Sequence, residues 1–377
     1  EDGGGQEARR TMIEMVPWMP IRDKNGKYTT STSSSIGDVL GFEGMSNPVM
    51  ILDMQKRMRY NTQVFGNAAL TFHLAEGLDL KTQLGLDHHN KTYRGYSSID
   101  LNNISMPNGW AEYQNWNTLY WQEETYLTYN KVFGDHRINA MAGLSWQERV
   151  QKWNKARTEG FSDDFFEDNN MSAGTTPASP ESSYDRWAMN SYFLRLAYSY
   201  DNKYMATVTG RYDGSSKFAS GKRFALFPSF SAAWRIGKEN FMSDISFLSD
   251  LKVRASYGSL GNQNVGGDFP YLASYGINTN QGYIVDGSKG VAIGAPGLVS
   301  PNFTWEKVTQ WNVGLDWGFF NYRLSGSFDF YNRFTKGMLT DGQPLPGVLG
   351  ASVPRENAAD LKTVGWEFTL GWKDRIG

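Results

Sequence analysis

The stretch SYFLRLAYSYDNKYMATVTGRYD, Ser191 to Asp213, changes chemistry at every residue. In its first half Tyr192, Leu194, Leu196, Tyr198 and Tyr200 share one side, against Ser191, Phe193, Arg195, Ala197 and Ser199 on the other. After Asp201-Asn202-Lys203 the split resumes, with Tyr204, Ala206, Val208, Gly210 and Tyr212 opposed to Met205, Thr207, Thr209, Arg211 and Asp213. Strand side chains point to opposite faces with a period of two, so the segment reads as an antiparallel hairpin. One face has an apolar centre and tyrosines near its ends, and the other is polar. A transmembrane β-barrel needs that pairing, because lipid and lumen alternate along each strand.

The same alternation recurs along the chain. Gln63 to Ala75 sets Val64, Ala68, Leu70, Phe72 and Leu74 on one face, and after Glu76-Gly77 the return strand opposes Leu78, Leu80, Leu84 and Leu86 to Asp79, Lys81 and Asp87. Leu119–Phe133 and Arg137–Gln151 flank Gly134-Asp135. Arg223–Ile236 pairs with Leu251–Gly258 across a link, ENFMSDISFLSD, that suits short helical turns. Trp311–Trp317 and Tyr322–Phe330 flank Phe320-Asn321, and Val364–Trp372 follows. Roughly eleven strands emerge from this count. Short turns near 76, 134, 202 and 320 alternate with long links near 92–117, 152–190, 214–222, 259–304 and 335–362. Outer-membrane barrels have short periplasmic turns and long outer loops. A soluble β-propeller or sandwich is the alternative, but it would bury apolar residues from both sheet faces and rarely keep every second loop long. Before Gln63 the chain reads as loop, with a turn at Asp23 to Lys27 and a polar run at Ser31 to Ser35.

Composition agrees with an all-β protein. The 377 residues include 40 glycines, 22 phenylalanines, 20 tyrosines and 13 tryptophans, and no cysteine. Disulfides and thiolate chemistry are excluded. A net charge of −2, spread along the chain, leaves no broad footprint for nucleic acid. Apolar runs fall far short of the ~20 residues a transmembrane helix requires, whereas a tilted strand needs only about 9 to 11.

No catalytic constellation stands out. His88-His89 are adjacent, so on a strand they point to opposite faces and make a poor metal pair. The Gly214 to Arg223 segment, GSSKFASGKR, has the wrong spacing for a phosphate loop and lacks a Ser or Thr after Lys222. Asp163, Asp164, Glu167 and Asp168 form an acidic run that calcium would accept, but a solvated loop explains it as well. Trp110, Tyr113 and Trp116 sit in the long polar link, where their rings suit a sugar face, a partner protein or the membrane interface.

Several phrases resemble the SusC/RagA-type TonB-dependent outer-membrane transporters: MIEMVPWMP at Met12–Pro20, NSYFLRLAYSYDNKYMATVTGRYDGSSKF at Asn190–Phe218, RFALFPSFSAAWRIGKENFM at Arg223–Met242, LKVRASYGSLGNQN at Leu251–Asn264, FTWEKVTQWNVGLDW at Phe303–Trp317, and Asn357–Trp372. The resemblance implies that residues 63–377 are part of a barrel of about 22 strands, with 1–62 a loop-rich, extracellular segment and with the plug domain and closing strands not included. It further implies TonB-dependent import of an oligosaccharide or peptide across the outer membrane of a Gram-negative bacterium, without enzymatic chemistry. A SusD-like surface lipoprotein and the TonB complex would be the partners, with no cofactor or metal. Arg195, Arg211, Arg235, Arg254, Arg323 and Asp329 would then face the plug or line the solute path, and Trp110, Tyr113 and Trp116 would contact substrate or lid. A surface adhesin or carbohydrate-binding module is the competing function; an outer-membrane barrel enzyme is a third, with no nucleophile or acid-base pair to nominate it.

Overall fold

The computed structural model describes residues 5–15, 17, 20–29, 47–101, 109–278, 282–294, 296–300, 302–349 and 353–374. Eleven long strands dominate it: β1 Gln55–Ala75, β2 Leu78–Ser97, β3 Trp110–Phe133, β4 His136–Glu159, β5 Glu181–Tyr200, β6 Tyr204–Ser215, β7 Phe224–Trp234, β8 Leu248–Asn262, β9 Glu306–Phe319, β10 Leu324–Asp341 and β11 Arg355–Trp372. Each neighbours the next in one sheet, which runs from β1 to β11 in chain order, with a two-residue strand, Thr176–Pro177, added beside β4. This is the all-β, antiparallel architecture that the alternation predicts, and the sheet is unclosed, as the resemblance implies. Among the described residues two short helices precede it, α1 Gly5–Glu14 and α2 Pro48–Met54.

Tight connections follow from local chemistry. Asp201 and Asn202 both adopt left-handed backbone, φ 48° and 49°, and Lys203 N donates to Tyr200 O at 2.9 Å. Asp and Asn tolerate that region because their short side chains bond locally, and the resulting twist matches that of the strands. Phe320, Asn321 and Tyr322 are also left-handed, closing the β9–β10 turn. The link between β7 and β8 contains the short 3-10 turns Ile236–Lys238 and Asn240–Met242, in line with the helical turns expected there.

The strands are longer than the alternation suggests. β1 starts at Gln55, not Gln63, so among the described residues the segment up to residue 62 holds two helices and eight strand residues as well as loop. Likewise β2 extends to Ser97, β4 to Glu159 and β10 to Asp341, which shortens the long links. The reason is physical: where neither face meets lipid, both carry polar residues, yet the backbone ladder continues. At Asp23 to Lys27 the expected turn is present, with Asp23 Oδ1 accepting from Asn25 N at 2.8 Å and Lys27 N at 2.9 Å. The Ser31 to Ser35 run lies outside the described residues.

The chain divides into two compact units. One comprises Glu1–Gly66, Leu86–Tyr120 and Arg149–Asp185. In it Ala8, Met50, Ile51 and Leu101 form one small core, and Tyr96, Ala111 and Phe161 form another. Asn47 caps α2 through Val49 N and Met50 N, while its amide donates to Ile21 O at 2.7 Å and Thr29 O at 3.2 Å. A single buried side chain thus ends one segment and ties down two others.

The second unit comprises Asn67–Gly85, Trp121–Glu148 and Arg186–Gly377. Its register places like faces together across seven strands, giving rows such as Leu196, Val208, Phe230, Tyr257 and Trp311. Another row holds Tyr198, Ala206, Ala232, Ala255, Val313, Phe330 and Trp366. Tyr192, Leu194, Phe230, Val313, Phe368 and Leu370 are all exposed. A contiguous exposed apolar surface of this extent on a soluble protein would be an aggregation site, whereas lipid covers it without cost. At the ends of these strands away from the short turns Phe218, Phe227, Val265, Phe303 and Trp305 build a core among the loops, with Trp305 Nε1 donating to Arg223 O at 2.8 Å.

Candidate functional site

The face opposite those rows is charged, and register assembles it. Along one inner row stand Ser199, Met205, Ala233, Arg254, Gly314, Asp329 and Glu367. Arg254, on β8, reaches across β9 to β10 and donates from both terminal nitrogens to Asp329, at 2.7 and 2.6 Å. Its Nε donates to Asp316 at 3.2 Å, and Lys252 Nζ lies 2.7 Å from the same carboxylate. Bidentate guanidinium–carboxylate pairing fixes direction as well as charge. The reach depends on Gly314. A Cβ there would stand 2.6 Å from Arg254 Cζ and 2.8 Å from Asp329 Oδ1, so a larger residue would occupy the ion pair's own path.

The other inner-wall candidates divide. Arg211 pairs with Asp213 at 3.1 Å and lies 5.5 Å over the Phe193 ring. Arg195, exposed on the same face, makes no ion pair among the described residues. Arg235 follows the last residue of β7 and binds Asp250 through two hydrogen bonds, at 2.8 and 2.9 Å, so it braces the rim of short turns. Arg323 precedes β10, lies 3.7 Å from Asp374 and is more than half exposed; it too belongs to the rim, not to the mid-wall.

Trp110, Tyr113 and Trp116 are strand residues at the start of β3, not loop residues, because β3 begins at Trp110. Trp110 is 3% exposed under the guanidinium of Arg157, 4.8 Å from its ring, and offers no surface to a sugar. Trp116 packs on Trp153 at 6.3 Å with Lys91 Nζ 5.0 Å over its ring. Tyr113 is the exposed member of the three.

In the acidic run Asp164, Glu167 and Asp168 are each engaged by neighbouring side chains. Asp164 accepts from Tyr96 Oη at 2.5 Å, Ser98 Oγ at 2.5 Å and Ile99 N at 3.0 Å. Burial alone would raise its pKa, but those three donors outweigh it and hold the carboxyl below the ordinary aspartate range. Burial, together with the bond to Asp164, pushes the Tyr96 phenol up. Asp168 takes Arg94 Nε, Asn169 takes its second nitrogen at 2.6 Å, and Glu167 takes Lys56. Among the described residues no group of three or more His, Asp or Glu is placed to hold a metal ion.

Sequence reasoning passed over Asp316, Lys252, Asp250 and Gly314. For Asp316 and Gly314 the signal was present, since Trp311, Val313, Leu315 and Trp317 face outward and the residues between them must face inward. Two-faced strands, a lipid-compatible surface and a charged opposite wall are what comparison with known proteins now places in a family. Residues 21–376 match the family model described as TonB dependent receptor-like, beta-barrel. The chain belongs to the TonB-dependent receptor β-barrel family. It is 30% identical over 370 residues to the TonB-dependent receptor P3 of Formosa agariphila, covering 97% of this chain and 35% of that protein. It is also 30% identical over 373 residues to the TonB-dependent receptor SusC of Bacteroides thetaiotaomicron, covering 94% of this chain and 35% of that one. Among solved structures, the RagAB peptide transporter superposes with a TM-score of 0.80 at 26% identity, covering 93% of this chain and 38% of that chain. The chain therefore spans about a third of the length of these relatives. Proteins of this family reside in the outer membrane of Gram-negative bacteria and act as receptors and transporters.

Proposed function

We propose that this chain is the wall portion of a TonB-dependent importer that carries a peptide or an oligosaccharide across the outer membrane, in partnership with a SusD-like surface lipoprotein and the TonB complex. One observation carries the reading: in a chain of this family, seven register-matched strands put apolar rows on one side and an ordered ion network on the other. The apolar side suits lipid. The ordered inner side, with Arg254 locked to two carboxylates and Arg195 making no ion pair among the described residues, suits a wall against which a plug or solute moves, since fixed charges lining a passage set what enters it. Likeness to the RagAB peptide transporter supports the peptide alternative. The chain performs no covalent step in this reading.

The test uses the full-length protein. A strain deleted for its gene, grown on a panel of peptides and glycans as sole nutrient, loses growth on one class and regains it with the wild-type gene but not when the TonB system is inactivated. Unchanged growth of the deletion strain across the panel, or rescue independent of TonB, contradicts the proposal.

A further inference from the structure

On the apolar face, near the rim of short turns, two rows of large side chains enclose a groove. Tyr204, Trp234 and Val253 stand opposite one another on β6, β7 and β8 and form the row nearer the rim. Val208, Phe230 and Tyr257 form the row on the far side, and between the two lie Ala206, Ala232 and Ala255. The enclosing rows are roughly 13 Å apart along the strands. Because the residues between them carry only methyl groups, the wall is hollowed there by about 470 Å³, with Tyr198 also lining the space.

The groove has a polar end. Glu239, in the β7–β8 link, turns back towards the wall and accepts from Tyr204 Oη at 2.5 Å and from Trp234 Nε1 at 2.9 Å, both on Oε1. The two rings it ties together stack 6.4 Å apart and 14° from parallel, and they wall the groove on its rim side. Among the described residues Oε2 of Glu239 takes no hydrogen bond. Beside Tyr204, Lys203 carries an ammonium 3.0 Å from Asp201. A bare hydrocarbon chain has no use for these groups. A carboxylate fixed at the end of an apolar groove, with an ammonium close by, suits a ligand that joins an apolar tail to a head of both charges.

We infer that this groove binds a glycerophospholipid with an ethanolamine head. One acyl chain lies over the alanines, the ammonium reaches Glu239 Oε2 beside the Trp234 ring, and the phosphate reaches Lys203. A primary ammonium donates hydrogen bonds to a carboxylate and is drawn to an indole face. A choline head has no N–H to donate, and a glycerol head brings no cation to Glu239, so the polar end selects among lipids with identical chains. The remainder of a barrel leaves the groove open. β7 stands well inside the strand order, so further strands add at distant edges, and a plug inside a barrel does not touch its outer face. The site goes beyond the importer reading and is independent of which solute is carried.

The experiment extracts the full-length receptor in mild detergent from vesicles made of equal parts phosphatidylethanolamine, phosphatidylcholine and phosphatidylglycerol with the same acyl chains. Native mass spectrometry then counts the lipids that stay bound. Wild type should retain the ethanolamine lipid at least about fivefold over either of the others. E239Q keeps an oxygen for Tyr204 and Trp234 but loses the charge, and it should abolish that preference. A232L fills the groove and keeps the face apolar, so it should lose the retained lipid, with both variants melting as wild type does. Equal retention of the three lipids by wild type, an unchanged preference in E239Q, or unchanged retention in A232L overturns the inference. A receptor dimer that A232L separates overturns it too, because a second copy would then occupy the groove. All of these outcomes leave the importer reading standing, since that reading falls by the growth test.

Discussion

Arg254 joins carboxylates from two neighbouring strands, and its geometry exists because residue 314 has no side chain. Replacing Arg254 by Ala leaves Asp329 and Asp316, each mostly covered, without their guanidinium. An expected loss of about 1 to 3 kcal/mol follows from stranding such groups. Gly314→Ala, with Arg254 intact, should lose a comparable amount by overpacking; urea unfolding of the full-length barrel in liposomes measures both, and a loss below about 0.5 kcal/mol for either would show that the pair is ornamental. At Asp164 the consequence is a pH dependence. Its folded pKa lies below the unfolded value of about 3.9, so its contribution is complete at neutral pH and disappears as pH falls through the lowered folded value. A fluorine label at Phe166 should stay immobile down to about pH 4 and loosen only below it. Loosening between pH 5 and 6, or an identical acid profile in Asp164→Asn, would contradict this. Inward residues of this kind were legible in sequence as a face but not as a network. Alternation says that Arg254 and Asp329 look inward, whereas their meeting depends on a register 75 residues apart.

At the scale of elements, the Tyr192–Tyr212 hairpin was readable in full because its two faces meet different solvents. Leu196 lies midway between its aromatic margins, in a row with Val208, Phe230, Tyr257 and Trp311. Leu196→Arg should cost about 2 to 4 kcal/mol in barrel assembly, as arginine does near a bilayer midplane. A neutral outcome in refolding into vesicles would place that face in water. Where both faces are polar the signal fails. Trp110 and Trp116 looked like loop aromatics because no apolar alternation surrounds them, yet they belong to β3 and pack under Arg157 and against Trp153. The helices before β1 were missed for a related reason: Pro48–Met54 is too short to display a period, and its start is set by the Asn47 cap.

For the whole molecule, β1 and β11 end the sheet's strand order, and the relatives are about three times as long as this chain. An unpaired strand edge does not survive in hydrocarbon, so the wall requires further strands to span a bilayer. The full-length protein should therefore partition with outer membranes and need detergent for extraction, and recovery in the aqueous fraction would refute membrane residence. The most direct test of the central claim, that alternate residues face lipid and lumen, exploits the lack of cysteine in this chain. Single cysteines at each position from Tyr192 to Tyr200, introduced into the full-length protein in a background without other reactive thiols, carry a nitroxide whose collisions with oxygen and with a water-soluble nickel chelate are compared. Oxygen should dominate at 192, 194, 196, 198 and 200 and the chelate at 193, 195, 197 and 199, with the contrast sharpest at Leu196 and Ala197. Equal access of the chelate to both sets would contradict the account.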